Sequence, residues 1–261
     1  MTGTGTTGSI QSVLGALRLL ESIGTLQPVG VSRLARETGL PKTTVQRAVR
    51  TLDAAGWVRA VDGDVTRWEL TSRMLGISLR AFGEYSLRDL AEPAMRELQR
   101  RTAETIHLVS LNGDEGIVVH RLDSSQPVRA YVGLGTRSPL HATASGQAIM
   151  AFLPEERVRA VVSGVLARFT GETLTDPHAV VARLAAVRER GYAVNVGEWR
   201  PEVASVSSPL LAVDGSAVAA LTISVPLSRW SDALAATYGG WTRELTTGLG
   251  PVPLTHDMAL T

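Results

Sequence analysis

Apolar side chains recur every three to four residues in the first third of the chain, the spacing of amphipathic helices. The pattern predicts helices over residues 10–23, 31–38 and 41–55. A period-two pattern then flanks the turn sequence Asp62-Gly63-Asp64 and predicts a β-hairpin over residues 57–70. Three helices followed by a hairpin are typical of a winged helix-turn-helix.

From residue 87 the pattern changes to short apolar strands framed by helices. Strands are predicted at 105–111, 116–122, 128–133, 192–196, 203–213 and 217–225, and helices at 87–101, 144–153, 155–162, 177–190 and 230–247. Because the strands meet as hairpins and the helices stand before, between and after them, the predicted fold is α+β with an antiparallel sheet.

These segments predict five parts along the chain. A Gly/Thr-rich disordered leader covers residues 1–8, and the winged helix-turn-helix covers 9–71. A linker helix covers 72–83 and ends at Gly83, a candidate hinge. A second domain covers 84–250, and a tail covers 251–261.

The strongest functional signal lies in residues 31–49. Gly39 can adopt the left-handed conformation of a tight turn, and Pro41 suits the first turn of a helix. The face of the third helix that points away from its apolar side carries Lys42, Thr43, Thr44, Gln46, Arg47 and Arg50.

The chemistry of that face suits DNA. Gln46 can pair bidentately with adenine and Arg47 with guanine, Thr43 and Thr44 can bond phosphates or bases, and Lys42 and Arg50 suit the phosphate backbone. In the hairpin, Arg59 and Arg67 flank the turn, where a wing would follow phosphates or the minor groove. The alternative is the solvated face of a plain three-helix bundle, but the small Ala35, the turn glycine and the following hairpin favour the DNA-reading interpretation.

Composition narrows the class of protein. The chain is 44% hydrophobic and 20% charged, and it has no cysteine, which excludes disulfides and thiolate chemistry. No basic and apolar signal segment and no membrane-length apolar run is found, so a cytoplasmic protein is expected. Residues 1–80 carry ten basic and six acidic side chains, whereas residues 81–261 carry sixteen and nineteen, so an anionic partner is expected for the first part only.

The sequence resembles the IclR family of bacterial transcriptional regulators over nearly its whole length. The segments that carry the resemblance are SIQSVLGALRLLESI, GLPKTTVQRAVRTLDAAGWV, GTRSPLHATASGQAIMAFLP, RERGYAVNVGE and AALTISVP, in that order. The resemblance implies a winged helix-turn-helix, a linker helix and a GAF-like or profilin-like effector-binding domain. It also implies homodimers, or tetramers built as dimers of dimers, on palindromic operators.

By position, the resemblance implies an effector pocket lined by eight residues. They are Ser138, Ala144, Ser145, Asn195, Val203, Ser205, Thr222 and Ser224. Thr222 and Ser224 are two apart on one strand and so share a face, and Ser145 lies near a helix start, where amides favour an anion. The alternative is that these are satisfied core polar residues.

The chain also departs from the family pattern next to this pocket. Asn195 stands where many members have an acidic residue, and Trp199, Arg200 and Glu202 replace a small, flexible stretch. A differently shaped pocket is therefore expected, with Arg200 pairing an acidic effector. An organic or aromatic acid is the predicted ligand class.

An enzyme is the main alternative class. A two-residue turn at Gly113-Asp114 would place His107 directly opposite His120, close enough to share a metal. No third ligand accompanies them, and Ser145 lies outside a Gly-x-Ser-x-Gly elbow. The sequence therefore predicts no catalytic residue, metal or cofactor, and favours a DNA-binding regulator, a repressor in preference to an activator.

Overall fold

Helices and one short hairpin make up the first part of the computed structural model. The structure describes residues 9–61, 63, 65–82 and 87–252, with the side chains of 78–82 left aside. Two compact units divide the chain, Met1–Glu84 and Tyr85–Thr261. Four of the predicted features lie outside the described residues. They are the leader, the Asp62 and Asp64 positions of the turn, the Gly83 hinge and the tail from residue 253.

The first unit has the element order predicted for a winged helix-turn-helix. Its elements are α1 (Gln11–Leu26), α2 (Val31–Thr38), α3 (Lys42–Ala54), β1 (Val58–Val61), β2 (Arg67–Leu70) and α4 (Arg73–Phe82). The apolar faces of α1, α2 and α3 meet in one core around Leu19, Leu34 and Val49, which are fully buried. Burying this apolar area is the main source of the unit's stability.

The turn between α2 and α3 depends on a glycine. Gly39 ends α2 with φ +68°, a left-handed conformation that side chains disfavour. Pro41 then precedes α3, where its missing N–H costs no helical hydrogen bond. The hairpin is tied to the helices because Val29 and Trp68 exchange backbone hydrogen bonds of 3.0 and 2.9 Å.

The second unit is a six-stranded antiparallel sheet with helices on both faces. Its elements are α5 (Leu87–Thr102), β3 (Thr105–Asn112), β4 (Glu115–Leu122), β5 (Arg137–Pro139), α6 (Ala144–Met150), α7 (Glu155–Ser163), α8 (Pro177–Arg190), β6 (Ala193–Val196), β7 (Val203–Leu211), β8 (Ala217–Pro226) and α9 (Asp232–Gly248). The strand order is β5-β4-β3-β8-β7-β6, and every neighbouring pair is antiparallel. The predicted α+β class is confirmed.

The two faces of the sheet contribute to two separate cores. Ile106, Leu108 and Leu221 face α5 and α9, in a core that Val252 also joins. On the opposite face, α6, α7 and α8 cover only one part of the sheet. The uncovered part of that face is where polar side chains collect.

One predicted strand is wrong. Residues 128–133 form no strand, and the sixth strand of the sheet is instead β5. The segment alternates apolar and polar residues, but Val128 and Tyr131 are more than half exposed, and the ladder on β4 begins only at Arg137. An extended loop that lies over a pocket has the same alternation as a strand.

Candidate DNA interface and ligand cavity

The outer face of α3 is solvent-exposed along its whole length. Lys42, Thr43, Thr44, Gln46, Arg47 and Arg50 are all exposed, whereas Val45, Val49 and Leu52 on the inner face are buried. Among the described residues, none of the six exposed side chains has a hydrogen-bond or ion-pair partner, so their donors are available to an external acceptor.

The two arginines of the hairpin differ in their surroundings. Arg59 stands directly opposite Glu69 in the strand pairing and forms an ion pair with it, with Nε 2.6 Å from Oε1. Arg67 is exposed and faces Val61. A phosphate would therefore have to compete with Glu69 for Arg59 but not for Arg67.

A cavity opens on the partly covered face of the sheet. Two pairs of residues from neighbouring strands form its floor. His107 of β3 faces Thr222 of β8, and Ser205 of β7 faces Ser224 of β8. The cavity has about 510 Å³ of empty space, including its open mouth. Its lining consists of His107, Val109, Val118, Val132, Ser138, Thr143, Ala144, Ser145, Asn195, Trp199, Arg200, Val203, Ser205, Thr222 and Ser224.

All eight residues proposed for an effector pocket from the sequence lie in this lining. Val203 and Ser205 are half-buried, and the other six are buried. The structure brings these residues together around one cavity, while their role in binding a ligand stays a prediction.

Several of the polar groups are held by the protein itself. Thr222 Oγ1 lies 2.8 Å from Ser207 Oγ, and Asn195 Nδ2 donates to the Ala142 carbonyl at 3.0 Å. At the start of α6, the Gly146 amide donates to Thr143 Oγ1 at 3.0 Å, so that amide is not open to an anion. Protein hydrogen bonds therefore hold several polar groups of the cavity wall in place before any ligand binds.

Beneath Asn195 lies a buried charged network. Glu198 is 5% exposed and pairs with Arg183 at 2.9 Å, and it accepts a hydrogen bond from Gln147 Nε2 at 3.0 Å. The Glu198 amide donates to Asn195 Oδ1 at 3.3 Å. This network fixes the loop after β6 against α6 and α8, and so fixes one wall of the cavity.

The mouth of the cavity carries the residues that depart from the family pattern. The exposed Arg200 stacks on the Trp199 ring, 4.7 Å from its centroid, and donates from Nη1 to the Tyr131 carbonyl at 3.3 Å. Arg121 stacks on Tyr131 at 4.1 Å and donates to the Val132 carbonyl at 3.0 Å. Arg121 is also paired with Asp123 at 2.7 Å, so Arg200 is the cation that lines the cavity, and the loop at 131–132 is bonded to both arginines.

The predicted pairing of His107 with His120 is wrong. The turn sets the expected register as far as Val109, which faces Val118, but a β-bulge between Leu108 and Val109 shifts it by one residue. His107 therefore faces Arg121, and the two histidines point to opposite faces of the sheet. His120 bonds Glu92 of α5 at 2.5 Å. In the described ranges, no three His, Cys, Asp or Glu residues cluster in a metal-binding arrangement.

His107 instead becomes part of the cavity, together with Val109, Val118, Val132 and Thr143, which sequence reasoning did not assign there. Burial, aided by the nearby Arg121 guanidinium, lowers the pKa of His107 to about 4. The imidazole is therefore neutral at physiological pH. The bulge between Leu108 and Val109 sets which face of the sheet each histidine points to, and so places His107 in the cavity. A bulge leaves little signal in a single sequence.

An exposed polar recognition helix beside a hairpin in one unit, and a cavity with polar groups on its floor in the other, define a transcription regulator of the winged helix-turn-helix class with a ligand-binding unit. In the described part of the chain, no helix combines the length and the apolar character of a membrane span.

Comparison with known proteins agrees with this class. The family described as "Bacterial transcriptional regulator IclR C-terminal" matches residues 80–246, and the "IclR helix-turn-helix domain" matches residues 12–62. The HTH-type transcriptional regulator KdgR of Escherichia coli is 32% identical over 225 residues, covering 86% of this chain and 85% of that protein. The transcriptional repressor IclR of Escherichia coli is 28% identical, covering 89% and 86%.

A solved structure is similar over both units. The crystal structure of an IclR homologue from Microbacterium hydrocarbonoxydans, complexed with 4-hydroxybenzoate, aligns with a TM-score of 0.77 at 26% identity, covering 91% of this chain and 97% of that chain. The chain belongs to the IclR family and is a DNA-binding transcriptional regulator.

Proposed function

We propose that a small organic acid binds in the cavity and changes the affinity of the α3 face for an operator, with repression as the mode of regulation. The observation that carries the proposal is the cavity, which has uncharged polar groups on its floor and the Arg200 guanidinium at its rim. Hydroxyl, amide and neutral imidazole groups suit the oxygen atoms of a compact acid, and Arg200 suits its negative charge. The Microbacterium homologue was crystallised with an aromatic acid, 4-hydroxybenzoate.

On the DNA side, Gln46 and Arg47 are proposed to read base edges in the major groove. Lys42, Thr43, Thr44 and Arg50 would hold the phosphate backbone, and Arg67 would follow it at the hairpin. A homodimer, or a dimer of dimers, would present two copies of α3 to palindromic half-sites roughly 34 Å apart. The free donors along α3 support this assignment.

The second unit is proposed to bind its ligand without transforming it. Ser145 Oγ donates to Thr143 Oγ1 at 3.4 Å, and no general base is bonded to it among the described residues.

We place the DNA-binding part at residues 9–71, the linker at 72–83 and the effector-binding part at 84–250, in a cytoplasmic protein with no cofactor. A ligand that acts through the linker changes DNA affinity only to the extent that it binds more tightly to one of two states of the protein, one that binds DNA well and one that binds it poorly.

A titration of DNA from the protein's own upstream region tests the DNA half. We expect salt-dependent binding that Arg47→Ala weakens by about tenfold or more, because one bidentate base contact is lost. The control is Arg159→Ala, which removes an equally charged, exposed helical arginine from the second unit. Equal loss in both variants, or no salt-dependent binding by the wild type, would contradict the assignment.

A thermal-shift screen of small aliphatic and aromatic acids tests the ligand half. An acid that stabilises the full chain is expected to lose its effect when Ser205→Phe fills the cavity. Ser163→Phe, on the exposed side of α7, is the matched control. A shift that survives Ser205→Phe would place the ligand elsewhere.

A further inference from the structure

The imidazole of His107 has one nitrogen bonded to the protein and one without a partner. The residue is 2% exposed, and Nδ1 lies 3.1 Å from Ser224 Oγ. Nε2 is buried and has no hydrogen-bond partner of ordinary geometry among the described residues. Buried polar atoms in native proteins are nearly always paired, so an unpaired one in a cavity wall points to an absent partner.

The direction of the bond to Ser224 decides what Nε2 offers. Among the described residues, the Ser224 hydroxyl has no acceptor other than His107 Nδ1. If the hydroxyl donates to Nδ1, the ring proton of the neutral imidazole must sit on Nε2. The opposite tautomer would leave the hydroxyl hydrogen without an acceptor, so the pairing favours an Nε2–H donor.

Among the cavity-wall residues, no acceptor forms a hydrogen bond of ordinary geometry with Nε2. The Val132 carbonyl, another part of the wall, interacts with the His107 ring and partly offsets the lowering of its pKa, but it also accepts a hydrogen bond from Arg121 Nη1 at 3.0 Å. Thr222, directly opposite His107 on β8, is engaged with Ser207 at 2.8 Å. The Nε2–H donor therefore lacks a well-formed protein partner among the described residues, and an oxygen atom of a ligand, or the water it displaces, can provide one.

We propose that His107 is a specificity-determining residue of the cavity, and that its Nε2–H selects ligands bearing a carbonyl or carboxylate oxygen at the sheet floor. The inference rests on the proposed function, because it concerns the same cavity and the same class of ligand. It names the atom that would recognise the ligand, His107 Nε2, and the ligand group that this atom would bind, a carbonyl or carboxylate oxygen. A ligand whose buried end is purely apolar would leave the donor unpaired and is disfavoured for that reason.

Nitrogen-15 NMR of the histidine side chains in the full-length protein tests the donor directly. The spectrum of His107, assigned with His107→Gln, is expected to show a neutral ring protonated at Nε2. A ring protonated at Nδ1 would overturn the proposal, whatever ligands are later found.

Binding measurements test the selection. The probes are benzoate, 4-hydroxybenzoate, pyruvate and glyoxylate, with toluene as the probe that lacks an acceptor oxygen. We expect the acid that binds best to bind about tenfold or more weakly to His107→Leu. Partial rescue is expected in His107→Gln, whose side-chain amide restores a donor. The exposed His178→Leu, in the same unit, is the matched control and is expected to bind as the wild type does.

The outcomes separate this inference from the proposed function. An acid that binds in the cavity with the same affinity in wild type, His107→Leu and His107→Gln would overturn the role of His107 and leave the regulator intact. Tighter binding of toluene than of the acids would overturn the selection for oxygen. If no acid binds at all, the acid class fails, and the proposed selection fails with it.

Discussion

The outer face of α3 and the floor of the cavity are both rows of polar side chains, but their hydrogen bonds differ. On α3 the six side chains are exposed and have no protein partner in the described structure. In the cavity, Thr222 is bonded to Ser207, Asn195 to Ala142 and His107 to Ser224. The helix face can therefore be altered one residue at a time, whereas the cavity is a network in which one change disturbs several groups.

The largest expected effect concerns the close packing behind the cavity. A Cβ placed on Gly146 would lie 2.2 Å from the Leu140 carbonyl oxygen, in contact with backbone that cannot yield. We expect Gly146→Ala to lower the free energy of unfolding of the second unit by about 3 kcal/mol. The loss is measured by unfolding the full chain in denaturant and monitoring hydrogen exchange in the peptides that come from this unit.

The control is Gly171→Ala in the same unit, where an added Cβ has no neighbour within 4 Å. Equal stability of the two variants would mean that α6 can move away from residue 140, and that the cavity wall is softer than the structure implies.

A second prediction uses the neutral imidazole in the cavity. Because burial lowers the pKa of His107 from 6.5 to about 4, the unfolded chain binds a proton that the folded chain does not bind between these values. Stability is therefore lost as the pH falls through this range, by about 2 kcal/mol at pH 5. Unfolding measured from pH 7 to pH 5 in wild type and His107→Leu checks this: the variant is expected to show the smaller pH dependence, and equal slopes would contradict the burial argument.

The contrast between the two regions also explains what the sequence could predict. Helical periodicity separates the inner and outer faces of α3 within a few residues, so the exposed set from Lys42 to Arg50 was predicted without tertiary information. The antiparallel class followed in the same way from hairpin signals. The cavity depends on which residues of distant strands face each other, and its eight predicted residues came from resemblance to a family.

The errors lie where long-range contacts override local pattern. The bulge at Leu108/Val109 turned an expected histidine pair into two residues on opposite faces. The extended loop at 128–133 carries the alternation of a strand but lies at the cavity rim. In both places the decisive interaction is with a segment that no local pattern identifies.

A third prediction separates base reading from phosphate binding on α3. Lys42→Ala is expected to weaken binding to all sequences alike and to reduce the salt dependence by about one phosphate contact. Arg47→Ala is expected to cost about 1–2 kcal/mol, mainly on the preferred sequence, and so to relax specificity. Salt titrations on the preferred sequence and on a scrambled one distinguish the two, and identical profiles for both variants would refute the division of roles.

The smallest expected effect concerns the hairpin. Removing the carboxylate in Glu69→Ala frees Arg59 from its surface ion pair, so DNA affinity should rise by an amount comparable to such a pair, about 0.2–1 kcal/mol. Glu155→Ala, which removes an exposed carboxylate from the Arg159 pair in the second unit, is the control. A gain in the control as large as that in Glu69→Ala would indicate a general charge effect in place of a local one.

The most direct test of the account measures DNA affinity while the cavity is filled. Fluorescence anisotropy of labelled upstream DNA, with and without a saturating acid identified by the screen, gives the coupling between the two sites. The account predicts a change in Kd of about 5- to 150-fold, abolished in Ser205→Phe and retained in Ser163→Phe. An acid that occupies the cavity and leaves the DNA affinity unchanged would contradict it.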